Sequence, residues 1–231
     1  MHAGARGPAR ELPRGVLRRI GLRRPREEAV AHSPREIEIK LAVADAATGR
    51  RLLHAAGFRV SKRRVFEANT LFDTAAGTLW RSERLLRVRQ TGTSGKLTFK
   101  GQGVACKYKS REELEIDISE PGKLCEILSR ADLVPSFRYE KFRTEFARRG
   151  EEGVATLDET PVGVYLELEG RPDWIDHNAA QMGFPESAYI TVSYYALYVD
   201  YCKAHAVQPS NMIFPAKPSS SRPRVPSSES R

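Results

Sequence analysis

The residues of this 231-residue chain best suited to chemistry are charged, and they alternate along short runs. If the run EIEIK is extended, Glu36, Glu38 and Lys40 share one face, because side chains i, i+2 and i+4 of a strand point the same way. The same sorting groups Arg87 with Arg89, Lys96 with Lys100, Glu113 with Glu115, Lys141 with Arg143, Thr156 with Asp158, and Glu167 with Glu169. Apolar residues such as Ile37, Ile39, Leu86, Val88, Leu114, Phe142 and Leu166 fall on the opposite faces. Carboxylates unaccompanied by Cys or His are hard oxygen donors, suited to Mg²⁺ or Mn²⁺. Planar Arg forks and Lys ammoniums suit phosphate oxygens. Together they describe metal-assisted handling of a polyphosphate.

An open antiparallel sheet with one wet face would also alternate in this way. The signs argue against it. Glu36/Glu38, Arg87/Arg89, Glu113/Glu115, Lys141/Arg143 and Glu167/Glu169 are like-charged neighbours. Two charges roughly 7 Å apart on a strand repel by about 2 kcal/mol at an effective dielectric of ~20. If the strands curl so that these faces converge, opposite charges from different strands meet around one hollow. The apolar faces then point outward, under helices, which inverts the usual small barrel.

The elements that must do this positioning are legible in outline. Alternation marks strands at 36–41, 84–90, 96–100, 112–118, 140–146, 154–159 and 164–169, and 66–74 reads as an eighth. Turn-forming residues at 91–95, 147–153 and 160–163 predict hairpins, hence a largely antiparallel sheet. Helices are predicted at 44–56, 121–131 (with Ser119 as cap and Pro121 early), 173–182 and 194–205, too few for a parallel layout. The expected fold class is α+β: a closed eight-stranded antiparallel β-barrel with a charged interior and helices packed outside. No repeat or linker interrupts 36–205, which reads as one domain. Residues 1–35 form a basic extension, and 206–231, with five Pro and seven Ser after Val207, form a tail; both read as disordered.

The formal charge of +9 sits in those ends. Residues 1–35 carry nine Arg against three Glu, residues 206–231 four basic groups against one Glu, and 36–205 hold 25 basic and 25 acidic residues. A domain with zero net charge is a poor match for duplex docking, so no specific nucleic-acid partner is expected. Cys106, Cys125 and Cys202 are odd in number and far apart, and no CxxC occurs. This argues against a disulfide framework or a thiolate metal site and for a reducing, cytoplasmic setting. No run is long and apolar enough to span a membrane, and no secretory h-region is present, so no membrane partner is expected. The five His lie away from the charged strands and read as ordinary surface or packing residues.

The ordered series ExExK (Glu36 to Lys40), RxR (Arg87, Arg89), Lys100 closing LTFK, KxR (Lys141, Arg143), Asp158 and ExE (Glu167, Glu169) resembles the CYTH superfamily of triphosphate tunnel metalloenzymes. The resemblance implies a closed antiparallel tunnel whose carboxylates bind divalent cations and whose bases grip a triphosphate. By that correspondence Glu36, Glu38, Asp158, Glu167 and Glu169 stand on the metal side, with Glu113 and Glu115 matching more loosely. Lys40, Arg87, Arg89, Lys100, Lys141 and Arg143 stand on the triphosphate side.

Members of that superfamily include class IV adenylyl cyclases, inorganic triphosphatases and thiamine triphosphatases. Where thiamine triphosphatases carry an aromatic residue two positions before the paired arginines, this chain has Leu85. The Ser193-Tyr194 pair near the last helix is similar to class IV cyclases, whereas hydrolytic members often carry a Lys there. The expected substrate is a small triphosphate such as ATP or inorganic triphosphate. The expected reaction is conversion of ATP to cyclic AMP and pyrophosphate, with triphosphate hydrolysis or non-catalytic nucleotide binding as alternatives. Relatives suggest a homodimer. Lys40, crowded by Arg87, Arg89 and Lys100, is the expected catalytic base, its pKa lowered by neighbouring cations. Trp80, Trp174 and the Tyr194–Tyr201 cluster are read as packing residues outside the site.

Overall fold

The structure is a computed structural model that describes residues 35–105 and 107–215. Nine strands and five helices follow one another: β1 (Arg35–Val43), α1 (Ala46–Ala55), β2 (Arg59–Thr74), α2 (Thr78–Arg81), β3 (Leu85–Thr91), β4 (Ser94–Lys100), β5 (Val104–Ala105), β6 (Lys109–Ile118), α3 (Pro121–Arg130), β7 (Leu133–Ala147), β8 (Val154–Thr160), β9 (Gly163–Glu169), α4 (Pro172–Gln181) and α5 (Tyr194–Ala204). Eight of the strands run β1-β9-β8-β7-β2-β3-β4-β6, and β6 pairs back onto β1 through Glu36↔Arg111 and Glu38↔Lys109, which closes the barrel. Every pairing between these strands is antiparallel. The two-residue β5 adds only a short rung beside β6.

The apolar faces do turn outward. Ile39, Leu41, Leu157, Leu166 and Leu168 from β1, β8 and β9 are fully buried against Leu53 of α1 and Ile175 and Ala179 of α4, together with Phe58 and Phe146. Burial of Leu- or Phe-sized side chains contributes about 1.5–3 kcal/mol each, so this outer layer, not the barrel interior, supplies the main apolar driving force. Asp45 caps α1 by accepting a hydrogen bond from the Thr48 amide at 2.7 Å, and Gly57 follows the helix at φ 88°, where a β-carbon would be strained. The first helical turn of α3 contains Pro121, as the sequence suggests, but its capping position is Glu120 rather than Ser119 and no side chain bonds the cap.

A second cluster lies under α5, where Phe137, Tyr139 and Tyr165 meet Tyr194, Tyr198, Cys202 and Met212. Tyr139 and Tyr165 stand two residues before Lys141 and Glu167 on the same strand faces, so this cluster fills one end of the barrel and α5 covers it.

Met212 brings a correction. The sequence places the start of a disordered tail at 206, yet 206–215 are described, and within them Met212 is buried and Phe214 half-buried. The Met212 amide donates to the Arg138 carbonyl at 3.0 Å, and its own carbonyl accepts from the Glu140 amide at 2.9 Å. This short parallel strap extends the sheet along the part of β7 that has no β8 partner. Its Pro and Ser content concealed one buried Met and the aromatic Phe214, which contacts Phe142. The expected N-terminal extension and the remainder of the tail, 1–34 and 216–231, lie outside the described residues, as does Cys106; Cys125 and Cys202 are free thiols.

β2 and β7 are also longer than the alternation indicates, at 16 and 15 residues. Register shifts near Val60, Lys62 and Val65 break the period of two that would have revealed the first half of β2. No described helix is long and apolar enough to cross a membrane.

Candidate active site

Convergence of the charged faces creates a cavity of about 1260 Å³ inside the barrel. Glu36, Glu38 and Lys40 of β1, Arg87 and Arg89 of β3, Lys100 of β4, Glu113 and Glu115 of β6, Lys141 and Arg143 of β7, and Glu167 and Glu169 of β9 all line it. Twelve of the thirteen residues singled out in the sequence therefore share one space. Asp158 does not face the cavity. It is fully buried behind the cations, where its carboxylate accepts from Lys141 Nζ at 2.7 Å, Arg143 Nε and Nη2 at 2.7 and 2.6 Å, and Tyr194 Oη at 2.7 Å. Burial opposes its charge, but Arg143 and Lys141 overcome that and hold it well below the usual carboxylate range. In this arrangement Asp158 orients two bases, and both of its oxygens are occupied by donors.

The surroundings of Lys40 differ from those the sequence suggests. Its Nζ lies 3.1 Å from Glu38 and 3.3 Å from Glu167, not among arginines. Burial lowers its basicity, yet the two carboxylates win and raise its pKa above that of an ordinary lysine. Held between two carboxylates, the ammonium is better suited to holding an anion than to accepting a proton. Lys100 makes ion pairs with Glu36 and, at 2.9 Å, with Glu113, while Arg87 donates to Thr98 at 3.0 Å, Tyr139 at 3.3 Å and Glu115 at 3.4 Å.

The carboxylates are in excess where β1, β6 and β9 meet. Burial, and then contact with Glu36, pushes Glu113 up to about 8. Burial, followed by the charges of Glu36 and Glu38, pushes Glu169 up to about 7. Like-charge repulsion of this kind is relieved by protonation or by a bound divalent cation. The donor set is all oxygen and so fits a hard cation. Among the described residues no three His, Cys, Asp or Glu side chains stand close enough together to ligate one as they are. Glu36, Glu38, Glu113 and Glu169 are the residues that would hold it.

Further residues of the cavity and of the shell behind it are not marked by the sequence pattern. Lys109 and Arg111 continue the inward face of β6 below Glu113, but the strand was read from Glu112. Glu67 and Asn69 on β2 are buried beside Arg89, at 3.4 and 3.2 Å. Counting back by two from Glu113, and along EAN in β2, would have found all four. Tyr194, set aside as packing, bonds Asp158 and lies with its ring 5.1–5.2 Å from the ammoniums of Lys141 and Lys40. Ser193, as the α5 cap, fixes the start of the helix that delivers it.

Beyond the charges, the cavity becomes apolar. Leu71, Phe72, Leu85, Leu86 and Phe137 line it together with Trp80 of α2 and Tyr195 of α5. The rings form a connected wall: Phe137 to Tyr195 at 4.9 Å, and Tyr195 to Trp80 at 5.1 Å. Tyr139 links this wall to the bases, stacking on Phe137 at 5.9 Å and accepting from Arg87. Trp80 is 63% exposed, so one face of this wall is open to the cavity mouth and solvent.

A family model, the CYTH domain, matches residues 34–182. This chain belongs to the CYTH family. That is a family of metalloenzymes that bind triphosphates, and the closed, charged barrel seen here is its tunnel. A candidate adenylate cyclase of Methanocaldococcus jannaschii is 28% identical over 137 residues, covering 58% of this chain and 75% of that protein. Among solved structures, a candidate adenylate cyclase from Vibrio parahaemolyticus aligns with a TM-score of 0.60 at 18% identity, over 70% of this chain and 96% of that one. A candidate adenylyl cyclase from Hippeastrum with a dominant triphosphatase activity aligns at 0.54 and 21% identity, over 71% and 95%. Similarity at these identities establishes the shared fold.

Proposed function

We propose that this CYTH protein uses Mg²⁺ or Mn²⁺ to act on the triphosphate of ATP, forming cyclic AMP and releasing pyrophosphate. The observation that carries the reading is the two-part cavity. Lys40, Arg87, Arg89, Lys100, Lys141 and Arg143 supply cations enough for a triphosphate, and the adjoining wall of Phe137, Tyr195 and Trp80 suits a flat organic group such as a nucleobase. An inorganic triphosphate has no use for that wall. Ser193-Tyr194 at the start of α5, and the candidate cyclases among the relatives, point the same way.

In this reaction the ribose 3′ oxygen bonds to the α-phosphorus as the bond to the β-bridging oxygen breaks. The hydroxyl proton passes to solvent water and the electron pair of the broken P–O bond leaves with pyrophosphate. The bases hold the chain in line and neutralise charge on the leaving group, work that is mainly positional and electrostatic. A divalent cation, when bound by the β1/β6/β9 carboxylates, would polarise the phosphoryl oxygens.

A second reading, hydrolysis of the terminal phosphate, is favoured by the Hippeastrum relative, whose dominant activity is that of a triphosphatase. The test is product identification with purified full-length chain, ATP or inorganic triphosphate, and Mg²⁺ or Mn²⁺. Cyclic AMP with equimolar pyrophosphate is the expected result. Orthophosphate from either substrate would replace the first reading with the second, and binding with no product would refute both and leave a triphosphate sensor. The cytoplasm, with its ATP and reduced thiols, is the compartment this reading requires, and one chain carries the complete cavity, so a homodimer is not needed for it.

A further inference from the structure

The described bases that line the cavity differ in how far they are paired. Lys40, Arg87, Arg89, Lys100, Lys141 and Arg143 each lie within 4.0 Å of a carboxylate. Arg111 also lines the cavity, yet among the described residues its side chain makes no hydrogen bond and no ion pair, and its Nε is fully buried without a partner. The absence is not for want of a neighbour. Glu36 stands directly across the strand pair from Arg111, but its carboxylate is turned to Lys100. Gly103, in the loop between β4 and β5, passes close to the same guanidinium: a side chain beginning there would come within 3.9 Å of Nε and Nη2. Loop backbone therefore shields this charge from bulk water on one side while the cavity lies on the other.

A guanidinium with a buried, unpartnered Nε and no anion beside it is unfavourable, and a ligand that supplies oxygen acceptors would complete it. The planar fork of Arg, with five donors, matches phosphate oxygens better than any other side chain. We propose that Arg111 is a further substrate-binding residue, which takes phosphate oxygens of the bound triphosphate. The inference rests on the reading of the tunnel as a triphosphate site and adds to it a residue outside the CYTH-like motif set. It also orders the bases by how they engage. The six paired bases must exchange or share a carboxylate to grip phosphate, whereas Arg111 gains a partner without losing one.

The test is calorimetric binding of inorganic triphosphate with Mg²⁺ to the full chain, as wild type, Arg111→Gln, Arg111→Lys and Lys141→Gln, together with ligand-free thermal unfolding of each. Arg111→Gln should weaken binding at least tenfold while its ligand-free Tm is unchanged or higher, because a buried N–H without an acceptor has been removed. Arg111→Lys should recover part of the affinity. Binding by Arg111→Gln within twofold of wild type, with Lys141→Gln weakened, would overturn the role of Arg111 and leave the triphosphate site standing. A lowered Tm with unchanged affinity would show a structural role and overturn it as well. No binding to wild type would instead remove the reading on which the proposal rests.

Discussion

Asp158→Asn isolates the contribution of the buried charge network. Asp158 is fully buried and is bonded by Lys141, Arg143 and Tyr194 at 2.6–2.7 Å. Replacing the carboxylate by an amide keeps the shape but removes the charge, and the amide nitrogen now faces donors. Lys141 is then left with Glu67 at 3.7 Å, and Arg143 with Glu167. Removing one partner of a buried pair typically costs about 3–5 kcal/mol, because the other charge stays desolvated. At roughly 2–4 °C per kcal/mol for a domain of this size, Tm should fall by about 6–20 °C. The assay is thermal unfolding by circular dichroism on the full chain. Glu126→Gln is the control: its partner Arg130 lies one turn along α3 with both side chains mostly in water, so its loss should cost about 0.5 kcal/mol or less. A Tm loss for Asp158→Asn no larger than that of Glu126→Gln would refute the argument that Asp158 holds the bases in place.

Three further outcomes are expected. Trp80→Ala should raise KM for ATP about fivefold or more, the low end of base–aromatic stacking, and leave KM for inorganic triphosphate nearly unchanged; equal effects on both would dissolve the proposed base wall. Asp73 accepts from the amides of Thr74, Leu79 and Trp80 at 2.7–2.9 Å, so Asp73→Ala should cost about 1–2 kcal/mol in urea unfolding at pH 7. Burial raises the Asp73 pKa but these amides outweigh it and depress it, so its contribution is complete above the unfolded value near 3.8 and is lost as pH falls through the lower folded value; a wild-type-to-mutant gap that fails to narrow in acid contradicts this. Met212→Ala should cost about 2–5 kcal/mol, since Met212 is 1% exposed, and an unaltered urea midpoint would mean that the strap does not hold α5.

How much of this could be read in advance follows from which property each feature depends on. The inward faces of β1, β3, β4 and β9 were legible because EIEIK, RVR, KLTFK and ELE alternate without interruption. The first half of β2 was hidden by its register shifts. Lys109 and Arg111 were hidden because reading began at Glu112, one step past the last clear apolar partner, and Met212 because its neighbours are Pro, Ser and Asn. Tyr194 looked like packing, and it does pack; that its hydroxyl reaches Asp158, 36 residues earlier in the chain, is a contact between elements.

Alternation is a consequence of covalent geometry, since successive side chains of an extended backbone leave on opposite sides. The sequence by itself thus determined which charges share a face, that the oil lies on the other, and that strands must curl for those charges to meet. Tertiary structure alone decided the partners. Strand tilt and closure set which carboxylate reaches which base, so Lys40 lies between Glu38 and Glu167 and stays charged, Asp158 is withdrawn behind Lys141 and Arg143, and Arg111 is left without an anion. Electrostatic energy varies with distance and burial, and those arise only when segments far apart in the chain are brought together.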